Sequence, residues 1–267
     1  RQDILSLCGG RMVIPTLPPR EQRLAVEGLA ARFEGARRPR LLVQVQAPGG
    51  PGDTLWARWS VRDTSGRELA KETRALEVSA CDPTGRRVAE FSAELPPGVY
   101  EVVVSGRDTK RRRGMYRTAV TLAAPPTGLA LSDLVLTCGD PSLMVGSGGV
   151  RLEANVAARV SGRQPLSAYF EIYRLAEDRD GLARFEYEYL VRRVPKDPTG
   201  LAKLFVTPEA PLISATSREA EQVGGLRRQF VSVPTQSLEP GRYRLEIRVT
   251  DLLTGAVATG TTEFVRE

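Results

Sequence analysis

Alternating apolar and polar residues run through most of the chain, and they predict β-strands rather than helices. Every second residue is apolar in 41–47, 55–61, 150–160 and 185–192. Successive side chains of a strand point to opposite faces, so a period of two predicts half-buried antiparallel strands. Frequent glycine and proline between these stretches indicate tight turns. The pattern therefore predicts an all-β protein.

Both tryptophans lie on the second of these strands, on opposite faces. Trp59 shares its face with Leu55 and Val61, and we expect it to anchor the core between two sheets. Trp56 points the other way. It is a candidate contact residue on the protein surface.

A sequence motif occurs twice and divides the chain into two similar halves. Leu95-Pro-Pro-Gly-Val-Tyr100 is followed by Asp108, and Leu238-Glu-Pro-Gly-Arg-Tyr243, 143 residues later, is followed by Asp251. Proline fixes φ, and glycine accepts the positive φ of a sharp turn, so Gly98 and Gly241 predict a chain reversal before a long inner strand. Tyr100 and Tyr243 then predict tyrosine corners, in which a buried ring sends its hydroxyl to nearby backbone.

The duplication predicts two tandem immunoglobulin-like or fibronectin-III-like antiparallel β-sandwich domains. We place the first at 1–126, with an extra segment at 14–36, and the second at 127–267, with a long insertion at 195–229. The linker at 123–128 contains two adjacent prolines. A short, stiff linker predicts an elongated, rod-like pair of domains.

Three further segments of the chain have patterns that predict their local structure. Residues 18–36 fit either a helix, with Leu24, Leu29 and Phe33 on one face, or a strand that begins at Leu29. Residues 150–160 predict a strand, and 166–175 with 185–192 predict a hairpin. We interpret the Asp178-Arg-Asp-Gly181 segment of that hairpin as an ordinary turn, because it lacks the further carboxylates of a calcium loop.

The positive charge is concentrated in the first half of the chain. The whole chain has 38 Lys and Arg against 32 Asp and Glu, and residues 1–126 hold 21 of the basic against 14 of the acidic residues. Such a basic patch is suited to anionic lipid, acidic glycan or acidic protein, or it is simply a solvated surface. Aromatic residues are not interleaved with it, which argues against nucleic acid. The densest positions are Arg37, Arg38, Arg40, Lys110, Arg111, Arg112 and Arg113.

The chain contains no histidine, which removes the commonest general base and metal ligand. The cysteines Cys8, Cys81 and Cys138 show no C-x-x-C spacing, and three cysteines allow at most one disulfide. An enzyme would need paired carboxylates, a lysine or a tyrosine, but the acidic residues fall mostly on outward faces or at turns. We therefore predict no catalytic residue, no metal site and no cofactor.

The motifs together resemble a known group of bacterial proteins. Phe91-x4-Pro-Pro-Gly-x-Tyr-x7-Asp108, the Pro-Pro linker and Leu129-Ala-Leu-Ser-Asp-Leu-Val-Leu136 are similar to the β-sandwich region of GWxTD-domain proteins and of secreted von Willebrand A-related proteins. The GWxTD motif itself is absent. The resemblance implies export to the bacterial periplasm, envelope or exterior, and it implies no catalytic residue.

These observations lead to one functional prediction and one alternative. We expect a non-catalytic structural or protein-interaction module of the bacterial cell envelope, a subunit or scaffold of a larger, membrane-associated assembly. The alternative is binding to an anionic surface through the basic patch of the first domain. No stretch of 18 apolar residues is present, so the sequence predicts no transmembrane helix.

Overall fold

The computed structural model describes residues 23–79, 81–82, 85–138, 145–146, 149–150, 152–162, 165–195, 210–222 and 224–267. Within these ranges the protein is all-β, as predicted, with no helix, and its strands pair antiparallel except for one short parallel pair, residues 159–160 with 265–266. Cys8, residues 14–22 of the extra segment and residues 196–209 of the predicted insertion lie outside the described residues.

Eight strands form the first sandwich. Its inner sheet has the order β1-β2-β6-β5 and its outer sheet the order β4-β3-β7-β8. Trp59 lies between the sheets, 2% exposed and stacked on Phe91 with ring centroids 5.3 Å apart, which confirms its predicted core position. The strands are β1 Glu27–Glu34, β2 Pro39–Pro48, β3 Leu55–Asp63, β4 Glu68–Ala75, β5 Glu77–Val78, β6 Arg86–Glu94, β7 Gly98–Asp108 and β8 Arg113–Leu122.

The second sandwich repeats this plan with a few short additional strands. Its inner sheet has the order β10-β14-β17, with β9 also on β14, and its outer sheet the order β13-β19-β18-β15-β16; β11 and β12 pair separately. The strands are β9 Ala130–Leu131, β10 Val135–Thr137, β11 Val145–Gly146, β12 Gly149–Val150, β13 Arg159–Val160, β14 Leu166–Tyr173, β15 Ala183–Arg193, β16 Ile213–Glu221, β17 Leu226–Val233, β18 Gly241–Asp251 and β19 Val257–Arg266.

The shared sheet order shows where the second half departs from the first. β16 and β17 take the places of β4 and β6, so 213–221 and 226–229 are regular strands rather than inserted chain. The additional length lies between β15 and β16, at 194–212, where the first sandwich has only 64–67. The predicted insertion 195–229 was therefore too long. The sequence pattern missed β16 because both of its faces are largely polar.

Two further predictions about the second half were wrong. β14 and β15 do not form a hairpin; they belong to different sheets, and the Asp178 turn carries the chain from one sheet to the other. The stretch 150–160 is not one strand, since only β12 and β13 at its ends are strands and 155–158 turns. Its alternating Leu152 and Ala154 are buried against the first sandwich instead.

The repeated motif forms a tyrosine corner in each sandwich, as predicted. The Tyr100 hydroxyl donates to the Pro96 carbonyl at 2.5 Å, and the Tyr243 hydroxyl donates to the Glu239 carbonyl at 2.7 Å. The prediction that these turns need glycines with positive φ was wrong, because neither Gly98 nor Gly241 has a positive φ. A Cβ at Gly98 would lie 3.2 Å from the Tyr100 hydroxyl, so the glycine leaves room for the ring.

The two sandwiches pack side by side through their inner sheets, and the predicted rod is wrong. One apolar cluster contains Phe33 and Leu42 from the first sandwich with Val135 and Tyr169 from the second. The Phe33 and Tyr169 ring centroids are 6.1 Å apart. β1, for which the sequence left a helix open, is a strand of this contact. Consequently both faces of β2 are buried, not one.

Polar groups of this interface are paired across the domains. The Gln44 side chain donates to the Leu152 carbonyl at 2.6 Å and accepts from the Ala154 amide at 2.7 Å. The other edge of this segment pairs with β10, through the Thr137–Ala154 bridge, so Gln44 takes the place of a strand on the edge that faces the first sandwich. Arg32 holds Asp133 through two guanidinium nitrogens at 2.7 and 2.8 Å. These contacts help to hold the two inner sheets in one relative position.

A disulfide also joins the sandwiches. Cys81 of the first is bonded to Cys138 of the second, with Cα atoms 5.1 Å apart and a separation of 57 positions in the sequence. Glu153 lies beside it and accepts from the Ser79 hydroxyl at 2.8 Å. The one disulfide that three cysteines allow is thus a covalent link between the two domains.

Candidate functional site

A groove crosses the exposed face of the outer sheet of the first sandwich, and Trp56 lies in it. We call it the Trp56 groove. Its walls are outward-facing side chains of β3, β4, β7 and β8, and its volume is 460 Å³. The side chains that define it are Trp56, Arg58, Thr73, Ser105, Arg107 and Arg113.

Strand register brings an indole and three guanidinium groups together in the groove. Trp56 is directly opposite Arg107, and Arg107 is directly opposite Arg113. The Arg107 guanidinium carbon is 5.6 Å from the centroid of the Trp56 ring, within cation–π range. Arg58 follows two positions after Trp56 on the same face of β3. The ring is half-buried and the arginines are exposed.

Glycines beneath the groove allow the chain before β1 to support it. The Leu24 amide donates to the Arg113 carbonyl at 2.8 Å, next to a parallel bridge between Arg23 and Arg113 on the edge strand β8. A Cβ at Gly114 would collide with the Leu24 carbonyl oxygen, and one at Gly106 would lie 2.8 Å from Val26. The glycines thus let Leu24 and Val26 close the inner face behind Trp56.

The three arginines of the groove have no carboxylate partner among the described residues. Several other charges on the same sheet form ion pairs, such as Arg117 with Glu101 and Lys71 with Glu68. Unpaired guanidinium groups are free to form bidentate contacts with an anionic ligand. The groove therefore combines free positive charge with an aromatic surface.

The equivalent face of the second sandwich carries paired charges. Leu55 is directly opposite Asp108 in the first sandwich, and Phe185 is directly opposite Asp251 in the second. Because Asp108 and Asp251 are equivalent residues of the repeat, Trp56 and Arg58 correspond to Glu186 and Glu188. The glutamates there face arginines, and among the described residues this face holds no unpaired cluster like that of the first sandwich. Its ion pairs include Arg218–Glu186 at 2.6 Å, Arg248–Glu188 at 3.6 Å, Arg192–Glu246 at 2.9 Å, Arg248–Glu246 at 3.3 Å, Arg242–Glu263 at 2.9 Å and Arg244–Glu263 at 3.0 Å.

The basic residues singled out from the sequence do not form one patch. Arg37 and Arg38 are exposed in the turn between β1 and β2, at the end of the sandwich near the Tyr100 corner. Lys110 and Arg111 are in the β7–β8 turn. The eleven-residue strand β7 separates the two ends, a distance of about 33 Å at 3.3 Å per residue.

Several of these predicted residues already have partners. Arg40 pairs with Glu171 of the second sandwich at 3.2 Å, so it contributes to the domain interface. Lys110 pairs with Asp53 at 2.9 Å, and Arg112 pairs with the buried Asp108 at 2.5 Å. The pKa of Asp53 is lowered by its hydrogen bond from Lys110. Of the predicted set, Trp56 and Arg113 are the two that meet in the groove.

Arg58 and Arg107 were not among the residues predicted from the sequence. Arg58 could have been predicted, because it shares the outward phase of β3 with Trp56. Arg107 becomes a neighbour of Trp56 only through the register of β3 with β7, which alternation alone does not give.

A larger cleft lies beside the disulfide, but its charged walls are already paired. Its volume is 740 Å³, and Cys81, Cys138 and Thr137 line it. Arg86 on its wall pairs with Glu27 at 3.2 Å, and Arg159 pairs with Glu267 at 2.6 Å. Within the described ranges, no group of three cysteine, aspartate or glutamate side chains is arranged to bind a metal.

The Asp178 turn uses its carboxylate internally. One oxygen of Asp178 accepts from the amides of Asp180 at 2.9 Å and Leu182 at 3.0 Å. These backbone hydrogen bonds lower the pKa of Asp178. The geometry agrees with the ordinary turn inferred from the sequence.

No protein-family model matches the chain, and no curated protein matches it significantly. The resemblance to GWxTD-domain and von Willebrand A-related proteins therefore remains a prediction. In the described part of the chain we also find no helix of the length and apolar character needed to cross a membrane.

Three solved structures with some similarity to this chain are distant from it in sequence and in structure. A DUF3823 family protein from Bacteroides ovatus is 8% identical with a TM-score of 0.30, over 90% of this chain and 98% of that one. A Bacteroides uniformis beta-glucuronidase is 11% identical with a TM-score of 0.31, over 90% of this chain and 31% of that one. An Escherichia coli alpha-2-macroglobulin is 11% identical with a TM-score of 0.27, over 92% and 22%. No functional argument follows from similarities this weak.

Proposed function

We propose that the chain is a non-catalytic protein-interaction module of the bacterial cell envelope, and that it binds its partner at the Trp56 groove. The observation that carries this proposal is the contrast between the two outer sheets. The second sandwich pairs its outward arginines with glutamates, whereas Arg58, Arg107 and Arg113 of the first have no such partner in the described residues.

The joining of the inner sheets supports a scaffold rather than a pair of hinged domains. The interface is apolar at its centre, carries ion pairs such as Arg174–Glu34 at 2.5 Å, and is closed by the disulfide. Such an arrangement holds the two outer sheets in one orientation. Disulfides persist in oxidising compartments, so Cys81–Cys138 also supports the envelope or exterior as the location.

The test is capture of proteins from a bacterial envelope extract by the immobilised chain. Three forms are compared: the unchanged chain, Trp56→Glu and Arg37→Glu. Trp56→Glu installs the residue of the equivalent position in the second sandwich, and Arg37→Glu makes a larger charge change on an exposed turn.

We expect proteins that are retained by the unchanged chain and by Arg37→Glu but lost with Trp56→Glu. Equal retention by all three forms would show that the groove is not the interaction surface. Loss with Arg37→Glu alone would favour the alternative, an anionic surface bound by the β1–β2 turn.

A further inference from the structure

We propose that the ligand of the Trp56 groove is an extended acidic protein segment with carboxylates at alternating positions. This inference rests on the proposed function, because it names the chemistry of the partner at the same groove. It goes beyond it by predicting which sequence pattern the partner presents.

The charge pattern of the groove defines an anionic ligand with more than one carboxylate. Arg107 and Arg113 are cross-strand neighbours, and Arg58 is diagonal to Arg107 across the β3–β7 pair. Directly opposed residues in antiparallel strands have Cα atoms about 4.5–5.5 Å apart, and diagonal ones are about 7–8 Å apart. In an extended chain, residues i and i+2 are about 6.6 Å apart on one face. The spacing of alternating residues in an extended ligand is therefore close to the spacing of the Cα atoms that carry the three arginine side chains.

The composition of the groove favours a protein over other anions. Trp and Arg are the residues most enriched among those that dominate protein–protein binding energy. Met115, 59% exposed, is directly opposite Ser105 at the groove and extends its apolar surface. Binding to single-stranded nucleic acid uses a series of aromatic side chains, whereas this face offers one indole.

The position of Trp56 argues against a lipid surface. A flat bilayer would first meet the exposed turns at the two ends of the sandwich, which carry Arg37, Arg38 and Arg111. Trp56 is instead half-buried between strands, with Arg107 over its ring. A narrow chain reaches it more readily than a membrane does.

The experiment is a fluorescence titration with defined probes. The chain has two tryptophans; Trp59 is 2% exposed and Trp56 is half-exposed, so a change in emission on binding reports on Trp56. The main probe is a ten-residue peptide that alternates Glu and Thr. The comparison probes are a peptide of the same composition with its glutamates in one block, an oligogalacturonate, and vesicles containing phosphatidylglycerol.

Three variants test the residues. Arg58→Glu and Arg107→Thr install the residues of the second sandwich at the equivalent positions, and Arg58→Gln removes charge at nearly constant size. Arg37→Glu is the charge control. Near-ultraviolet circular dichroism confirms that each variant is folded.

We expect the alternating peptide to bind, and affinity to fall about tenfold or more with Arg58→Glu and with Arg107→Thr, as for residues at the centre of an interface. Higher salt should weaken the binding, and Arg37→Glu should leave it within about twofold. Stronger binding of oligogalacturonate, vesicles or the block peptide would overturn the proposal. So would peptide affinity unchanged by Arg58→Gln and Arg107→Thr.

The two proposals fail in different ways. If the groove captures envelope proteins but the alternating peptide does not bind, the acidic-segment inference is wrong and the proposed function stands. If capture does not depend on Trp56, the proposed function is wrong whatever the peptide does.

Discussion

The hydroxyl of Tyr243 ties the start of β18 to the turn that precedes it. It donates to the Glu239 carbonyl at 2.7 Å, and its ring stacks on Phe264 with centroids 5.5 Å apart. We expect Tyr243→Phe to lower the free energy of unfolding by about 1 kcal/mol, because one buried hydrogen bond is lost while packing is kept. Urea denaturation measures the change.

A matched control is available on the neighbouring strand. Tyr189 of β15 is half-buried, and its hydroxyl has no protein partner among the described residues. Tyr189→Phe should therefore change the free energy of unfolding by less than about 0.5 kcal/mol. Equal effects of the two substitutions would mean that the Tyr243 hydrogen bond contributes nothing.

Two phenols at the domain interface predict a dependence of stability on alkaline pH. Tyr169 donates to Glu171 at 2.7 Å, and Tyr173 donates to the same carboxylate at 2.6 Å. Burial, together with the adjacent negative charge, raises the pKa of both phenols well above the ordinary value near 10. They stay protonated in the folded protein at pH values where the unfolded chain ionises.

The folded-state pKa is the higher one, so this contribution to stability is fully present below about pH 10 and is lost as pH rises further. We expect unchanged chain and Tyr169→Phe to differ in urea midpoint at pH 8, and the difference to shrink between about pH 10 and 11. A difference that grows over this range would contradict the assigned direction of the pKa shift.

For single residues, hydrogen bonds between positions close in the sequence were predictable, and hydrogen bonds between distant positions were not. The tyrosine corners follow from residues four positions apart, which the motif contains. The partners of Arg40 and Gln44 in the second sandwich lie more than one hundred positions away. Nothing in the alternation of β2 distinguishes a glutamine that faces water from one that faces another domain.

Among the strands, β2 is the one whose role differs most from its pattern. Gln44 and Gln46 point outward from the first sandwich, yet they are 2% and 4% exposed. Gln44 completes the hydrogen bonding of the segment 152–154, which a sheet partner would otherwise supply. A polar residue at an outward position is here a structural part of the interface.

We expect Gln44→Ala to lower the free energy of unfolding by about 2–4 kcal/mol, since it leaves the buried Leu152 carbonyl and Ala154 amide without their partner. Gln46→Ala is the control, because Gln46 donates to Glu27 within the same sandwich at 2.6 Å. Its expected cost is about 1 kcal/mol. A larger loss for Gln46→Ala than for Gln44→Ala would contradict the role given to Gln44.

Strand existence was predictable where one face is apolar, and strand pairing was not. Alternation located β2, β3, β7 and β18, whose inward residues are mostly Val, Leu, Ile, Trp or Tyr. It missed β16, an edge strand with the sequence Ile-Ser-Ala-Thr-Ser-Arg-Glu-Ala-Glu. It also could not show that β14 and β15 lie in different sheets, because turn residues connect strands of one sheet or of two.

For the whole molecule, the disulfide predicts how the domains are held together. Cys81–Cys138 encloses 57 positions of sequence. Constraining a loop of that size in the unfolded chain stabilises the folded state by about 4 kcal/mol in the entropic account. We expect the double variant Cys81→Ala, Cys138→Ala to lose about 2–4 kcal/mol, measured by urea denaturation, and dithiothreitol to reproduce the loss.

Cys8→Ala is the control, since it leaves this pair intact. Peptide mass spectrometry without reduction should recover the Cys81 peptide linked to the Cys138 peptide. Recovery of both as free thiols from protein taken directly from the envelope would contradict the disulfide and remove its support for the proposed location.

The arrangement of the two domains was the part least accessible to the sequence. The Pro-Pro linker was compatible with a rod, but the apolar residues Phe33, Leu42 and Tyr169 decide for side-by-side packing. Their burial exposes the two outer sheets instead. The excess of positive charge noted from composition can then be placed on the first outer sheet. There Arg58, Arg107 and Arg113 have no carboxylate partner among the described residues, whereas the second outer sheet pairs Arg218 with Glu186 and Arg242 with Glu263.

The most direct measurement is a footprint of the arginine side chains. A dicarbonyl reagent selective for arginine is applied to the chain alone and to the chain with the envelope protein that it retains, and peptide mass spectrometry locates the modified residues. The account predicts that Arg58, Arg107 and Arg113 are protected by the partner, while Arg37 and Arg38 react as before. Protection at Arg37 and Arg38, or on the second outer sheet at Arg218, with the Trp56 groove still reactive would contradict it.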